Sequence, residues 1–241
     1  MGRTQRVSFA LSVEELAVAI GAAGRLEEAK GLLVNSFGSI SAEEERGRLL
    51  AANHSLLARD LLTLANGQTQ LHSDLAQSLE VFFESRRLIR IGRTGEFGED
   101  VLAGYSHPNG WLEHTIRDGV AHRFRFPVWE DDLEVAINSF ISPACPSAVP
   151  NVTVDLPPTL LTDLDPQTRR SYDAVLKFIQ TTSPDHPGAK QLAEDFAQGH
   201  WRGSMVWMDR TNPERLFTRG SLWLQGIDRL WMIVSSEAGD S

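Results

Sequence analysis

Apolar residues in this chain gather in short runs, some continuous and some alternating with polar positions, and glycines punctuate them. Over residues 88–126 the runs are Leu88-Ile89-Arg90-Ile91, Val101-Leu102-Ala103-Gly104-Tyr105 and Trp111-Leu112-Glu113-His114-Thr115-Ile116, with Gly92, Gly95, Gly98, Asn109 and Gly110 between them. Runs bounded in this way predict a three-strand antiparallel meander, and a further strand is expected over residues 121–126. A shorter version returns later: Met205-Val206-Trp207-Met208, then Leu216-Phe217 through Leu222-Trp223-Leu224, then Leu230-Trp231-Met232-Ile233-Val234. Laid without a gap, residues 74–94 fall on residues 191–211, so that Leu75 meets Leu192, Leu79 meets Phe196 and Arg93-Thr94 meets Arg210-Thr211. A helix feeding a meander is therefore expected twice. A period of about half the chain points to internal duplication, because a solenoid needs several short repeats to bury its core.

Helical spacing fills the intervals. Val7-Ser8-Phe9-Ala10-Leu11 alternates and predicts a first strand; Ser12-Val13-Glu14-Glu15 then forms a capping box, in which side chains at both ends satisfy amides that the first turn leaves unpaired. A second helix is expected over residues 26–34. Ser41-Ala42-Glu43-Glu44 repeats the cap, and Leu49, Leu50, Leu56, Leu57, Leu61 and Leu64 recur at helical spacing as far as Asn66-Gly67, which predicts one long helix. Further helices are expected over residues 73–85 and from Asp131-Asp132 through Ile141. Pro143, Pro146, Pro150, Pro157 and Pro158 then mark a linker. The expected organisation is an N-terminal half over residues 1–142, a Pro-rich connector over 143–158 and a C-terminal half over 159–241. In the last, Asp165-Pro166 starts a helix with Tyr172, Val175, Leu176 and Ile179 on its core face, and residues 188–198 form the next. The fold class is α+β, with two pseudo-symmetric halves around a central sheet.

Composition narrows the chemistry. At 241 residues and 41% hydrophobic content the chain can bury a core without staples. Its one cysteine, Cys145, excludes an internal disulfide framework and suits a reducing compartment. No N-terminal stretch has the pattern of an export signal, and no apolar run approaches the roughly 18 residues of a membrane span, so a soluble cytoplasmic protein without a membrane partner is expected. A net charge of −9 and a pI near 5.3 argue against general affinity for nucleic acid.

Candidate sites are few. His107, His114 and His122 fall on or beside adjacent expected strands, yet no carboxylate or cysteine joins them in the pattern of a metal site. Glu43-Glu44-Glu45 and Glu130-Asp131-Asp132 stand at helix starts, where the helix dipole favours negative charge. Ser204, Ser221 and His200 form no recognisable nucleophile arrangement, and the chain has no nucleophile elbow, P-loop, zinc-protease or dinucleotide motif. The expectation is a protein that is not an enzyme, with no cofactor and no metal. More telling is the second meander, apolar on both faces, since strand neighbours point to opposite sides. Helices and the other half-chain can cover those faces, or an exposed part can bind protein, because Trp and Met are enriched at interface hot spots. Trp207, Trp223 and Trp231 are the candidates for such a surface. A small-molecule binding protein or enzyme with a pocket between the halves, and a self-assembling scaffold, are the alternatives.

The order of elements resembles a known family. A first strand, the capped helix at Leu11-Ser12-Val13-Glu14-Glu15-Leu16, the long helix ending in Leu56-Leu57-Ala58-Arg59-Asp60-Leu61-Leu62, then Leu71-His72-Ser73-Asp74-Leu75-Ala76 and a meander, are similar to the EspG family of ESX (type VII) secretion chaperones. Asp60 stands where the family's Ala-Arg-Gly-Leu pattern has glycine. The resemblance implies an α+β fold of two related halves, and a cytosolic role in covering the helical tip of PE–PPE substrate dimers. It carries no contact residues onto this chain.

Overall fold

The computed structural model describes residues 6–65, 67–95, 98–141, 172–182, 188–198, 201–212, 216–226 and 229–234. The expected connector over 143–158, Cys145, His200 and the helix start at Asp165-Pro166 lie outside the described residues. The N-terminal elements are β1 (Val7–Ser12), α1 (Val13–Ala22), α2 (Leu26–Phe37), α3 (Ala42–Ala58), β2 (Leu62–Ala65), β3 (Gln68–Leu71), α4 (Ser73–Glu84), β4 (Arg87–Gly95), β5 (Gly98–His107), β6 (Gly110–Arg117), β7 (Ala121–Val128) and α5 (Glu130–Ile141). The C-terminal elements are α6 (Tyr172–Thr182), α7 (Ala189–Gln198), β8 (Trp201–Asp209), β9 (Phe217–Gln225) and β10 (Leu230–Val234). None of the described helices is long and apolar enough to cross a membrane.

Eight strands form one antiparallel sheet in the order β1-β7-β6-β5-β4-β8-β9-β10. The two halves meet at its centre, where β4 and β8 pair along nine residues, from Arg87 opposite Asp209 to Gly95 opposite Trp201. Helix, strand and meander thus recur on either side of this pairing, and β8 starts three residues earlier than the ungapped repeat places it. The first meander has four strands, because residues 121–128 pair with β6 and in turn with β1.

Local chemistry sets the ends of the elements. Ser12 caps α1 as expected: its hydroxyl accepts from the Glu15 amide at 3.1 Å, and the Glu15 carboxylate accepts from the Ser12 amide at 2.9 Å. The Glu15 carboxylate also takes bonds from Ser55 Oγ at 2.6 Å and Arg59 Nη1 at 3.0 Å, while Arg59 reaches the Ala10 carbonyl. The Glu15 carboxylate thereby ties α1 to the end of α3, and the Arg59 guanidinium ties that end to β1. The expected long helix stops at Ala58 instead of continuing to Asn66. Asp60 takes a left-handed φ of 55°, its amide donates to Leu57 O and the Leu61 amide to Leu56 O, which is the Schellman closure of a helix. Leu61 and Leu62 then enter the core, and β2 and β3 form a separate hairpin with Leu64 exposed. Leucine spacing carried on past a conformational stop, so periodicity alone overshot.

The core lies on both faces of the sheet. On one face, α1 to α4 pack over Leu112, Phe124 and Phe126, and farther along the same face α6 and α7 pack over Leu224 and Trp231. On the opposite face α5 brings Ile137, Phe140 and Ile141 against Ile89, Ile91, Met205 and Trp223. A helix of the N-terminal half therefore covers strands of the C-terminal half, which is why the second meander is apolar on both sides.

Candidate protein-binding surface

Residues directly opposite in a sheet share a face, so the register defines rows across the strands. On the α5 face one row runs Gly104, Ile89, Trp207, Arg219, and the next runs Leu102, Ile91, Met205, Ser221. A third, nearer the other end, runs Asp100, Arg93, Gly203, Trp223, Met232. Two glycines shape this face. A Cβ on Gly104 would lie 2.9 Å from Leu133 Cδ2, so the bare backbone lets α5 settle on β5. A Cβ on Gly203 would lie 1.9 Å from the Gly92 carbonyl oxygen of β4 and 2.8 Å from the Trp223 ring, so the bare backbone admits both.

Trp207, Trp223 and Trp231 consequently have different fates. Trp223 is buried among Ile91, Ile141 and Met205, and Trp231 is buried on the other face, where its Nε1–H donates to Asp195 Oδ2 at 2.7 Å. Trp207 alone of the three stays half-exposed, beyond the reach of α5. Its ring lies 6.4 Å from that of Trp111, across the two intervening strands. Around it stand Phe217, 46% exposed, and Arg219, whose guanidinium sits 6.0 Å from the Phe217 ring. Arg87 and Asp209 form a salt bridge at 3.2 Å at the same end, and Met232 is exposed on β10. Trp129, one residue beyond the Val128 that pairs with Trp111, is also exposed. Sequence reading passed over Phe217, Arg219 and Trp111. Trp111 stands on the first meander and the other two on the second, and they share one surface only because β4 pairs with β8.

The histidines lie elsewhere. His114 and His122 are buried side by side, His114 Nε2 to His122 Nδ1 being 3.0 Å, and His114 stacks on Phe124. Burial pushes the His114 imidazolium down to about 3, helped by the neighbouring His122 and Arg90, and burial pushes His122 down to about 4. Both rings are therefore neutral at pH 7. His107 accepts from the Asn109 amide and packs edge-on to Phe126. No group of three or more His, Cys, Asp or Glu side chains converges on a metal position among the described residues. Ser204 and Ser221 project to opposite faces, as their register with Leu222 and Met205 requires. A cavity of about 550 Å³ lies at the β1 end of the sheet, lined in part by Ser12, Phe37, Val120, Arg117 and Arg123, away from the junction of the halves.

A broad antiparallel sheet with helices of both halves on one face, and an aromatic surface left open on the other beside α5, defines an α+β protein. Residues 8–200 match the family described as "Uncharacterised protein YfjC", and the chain belongs to that family. No curated protein matches it. Among solved structures it is similar to a chain in the structure of the Mycobacterium tuberculosis type VII secretion system chaperone EspG5 in complex with PE25-PPE41 dimer. That likeness has a TM-score of 0.61 and covers 94% of this chain and 86% of the other at 8% identity. The fold is thus EspG-like, as the element order implied, although almost no sequence is shared.

Proposed function

We propose that the protein is a non-enzymatic, cytosolic protein-binding module of chaperone or adaptor type, which covers an apolar helical surface of a client. The observation that carries this reading is the open aromatic surface of Trp207, Phe217 and Arg219 at the part of the sheet that α5 leaves bare. Aromatic and arginine side chains dominate interface energetics, a single Trp often contributing about 2 kcal/mol or more when truncated. The EspG-like fold supports the same reading, because the similar chaperone is seen holding a protein dimer. A client related to PE–PPE proteins, a helical bundle with an apolar tip, is the finer form of the proposal. Co-expression with such helical proteins tests it. The client is expected to stay soluble and to elute with this chain; a client that remains insoluble or elutes alone counts against the proposal.

A further inference from the structure

Charge is distributed unevenly over the sheet. On the face that carries Trp207, strands β4, β8 and β9 present three arginines, Arg87, Arg93 and Arg219, Arg93 being held by Asp100 of β5 at 2.9 Å, and one carboxylate of their own, Asp209, in a protein of net charge −9. That carboxylate is already occupied. Asp209 Oδ1 accepts from the Thr211 hydroxyl at 2.6 Å and amide at 2.8 Å, and Oδ2 accepts from Arg87 Nε at 3.2 Å. Arg219, directly across from Trp207, has the Phe217 ring beneath it and no carboxylate partner among the described residues. A guanidinium held beside an aromatic ring and open to solvent is placed to take a carboxylate in a bidentate bond.

We infer that the client segment received by this surface is acidic as well as apolar: an amphipathic helix whose Leu or Phe side chains meet Trp207 and Phe217 while a flanking Asp or Glu side chain reaches Arg219. This rests on the protein-binding reading and gives the partner its chemistry. The molecule's own negative charge opposes an acidic ligand at a distance. At 0.15 M salt that field is screened beyond about 8 Å, whereas contact pairs persist. Discrimination is therefore to be read at that ionic strength.

The test uses the full chain and two tryptophan-free helical peptides of one apolar pattern, one with glutamate on its polar positions and one with lysine, followed by the change in tryptophan fluorescence. The glutamate peptide is expected to bind at least tenfold tighter, and Arg219→Glu to bring the two affinities together while leaving the thermal midpoint unchanged, the side chain being exposed. Equal binding of both peptides, released by Trp207→Ala, would overturn the acidic partner and leave the protein-binding reading standing. Tighter binding of the lysine peptide, an unchanged ratio in Arg219→Glu, or failure of both peptides would also overturn it. So would displacement of the peptide by single-stranded RNA, or self-association of the chain through this surface.

Discussion

Asp195 on α7 shows how one buried side chain can fix a helix to a strand. It accepts from the Trp231 indole, and Gly226 approaches so closely that a Cβ there would lie 2.1 Å from its Oδ1. Asp195→Ala leaves the indole N–H buried without an acceptor, at a cost of about 1–3 kcal/mol, and urea unfolding should show it. Gly226→Ala should destabilise for the complementary reason, by pushing the carboxylate out of place. The histidine pair gives a pH signature. Both folded values lie below the ordinary 6.5, so the unfolded chain binds protons that the folded one refuses. The contribution is intact above pH 6.5 and declines as the pH falls from there toward 4. The urea midpoint is expected to drop between pH 7 and pH 4.5, and the paired change His114→Phe with His122→Leu to flatten most of that drop. An unaltered slope in the double variant would contradict it. The adjacency of His114 and His122 could be read from strand spacing; their burial could not, because it depends on α4 bringing Phe82 against His114.

Among the elements, the helix ends make the sharpest contrast between what periodicity carries and what backbone conformation decides. Gly24 and Asp60 close α1 and α3 with the same pair of bonds and both have positive φ. Glycine pays no steric cost there and aspartate does. Asp60→Gly should therefore raise stability by a few tenths to about 1 kcal/mol, measurable as a shift in thermal midpoint, and Asp60→Val should lower it. The glycine expected at this place in the EspG pattern has its physical reason in that conformation. Strands were legible because their apolar runs are short and bounded; between the paired Arg117 and Ala121, the β6–β7 connection turns at Asp118-Gly119, both with positive φ, and the Val120 amide closes onto Arg117 O. Leu61 and Leu64 misled because helical spacing continues through them, while one is core and the other lies on an exposed hairpin.

At the scale of the whole molecule, the bounded apolar runs located the strands of the two meanders but not their meeting. Pairing of β4 with β8 joins the two meanders into one sheet through its centre, and no local pattern announces which strand edges will face each other. That pairing decides the fate of the tryptophans. Trp223 and Trp231 are spent on the core, and Trp207 remains at the surface with Phe217 and Arg219. Gly203→Val tests the packing side of this arrangement: its side chain would collide with the Gly92 carbonyl oxygen of β4 and with the Trp223 ring, so it should loosen the β4–β8 seam and cost several kcal/mol, with urea unfolding as the readout.

The binding side is tested by light scattering on the co-expressed complex with a helical client, comparing the wild type with Trp207→Ala combined with Phe217→Ala. A stable complex heavier than the 26.7 kDa chain is expected for the wild type and its loss for the variant, at an unchanged thermal midpoint. A variant that holds the client as firmly as the wild type would contradict the assignment of this surface.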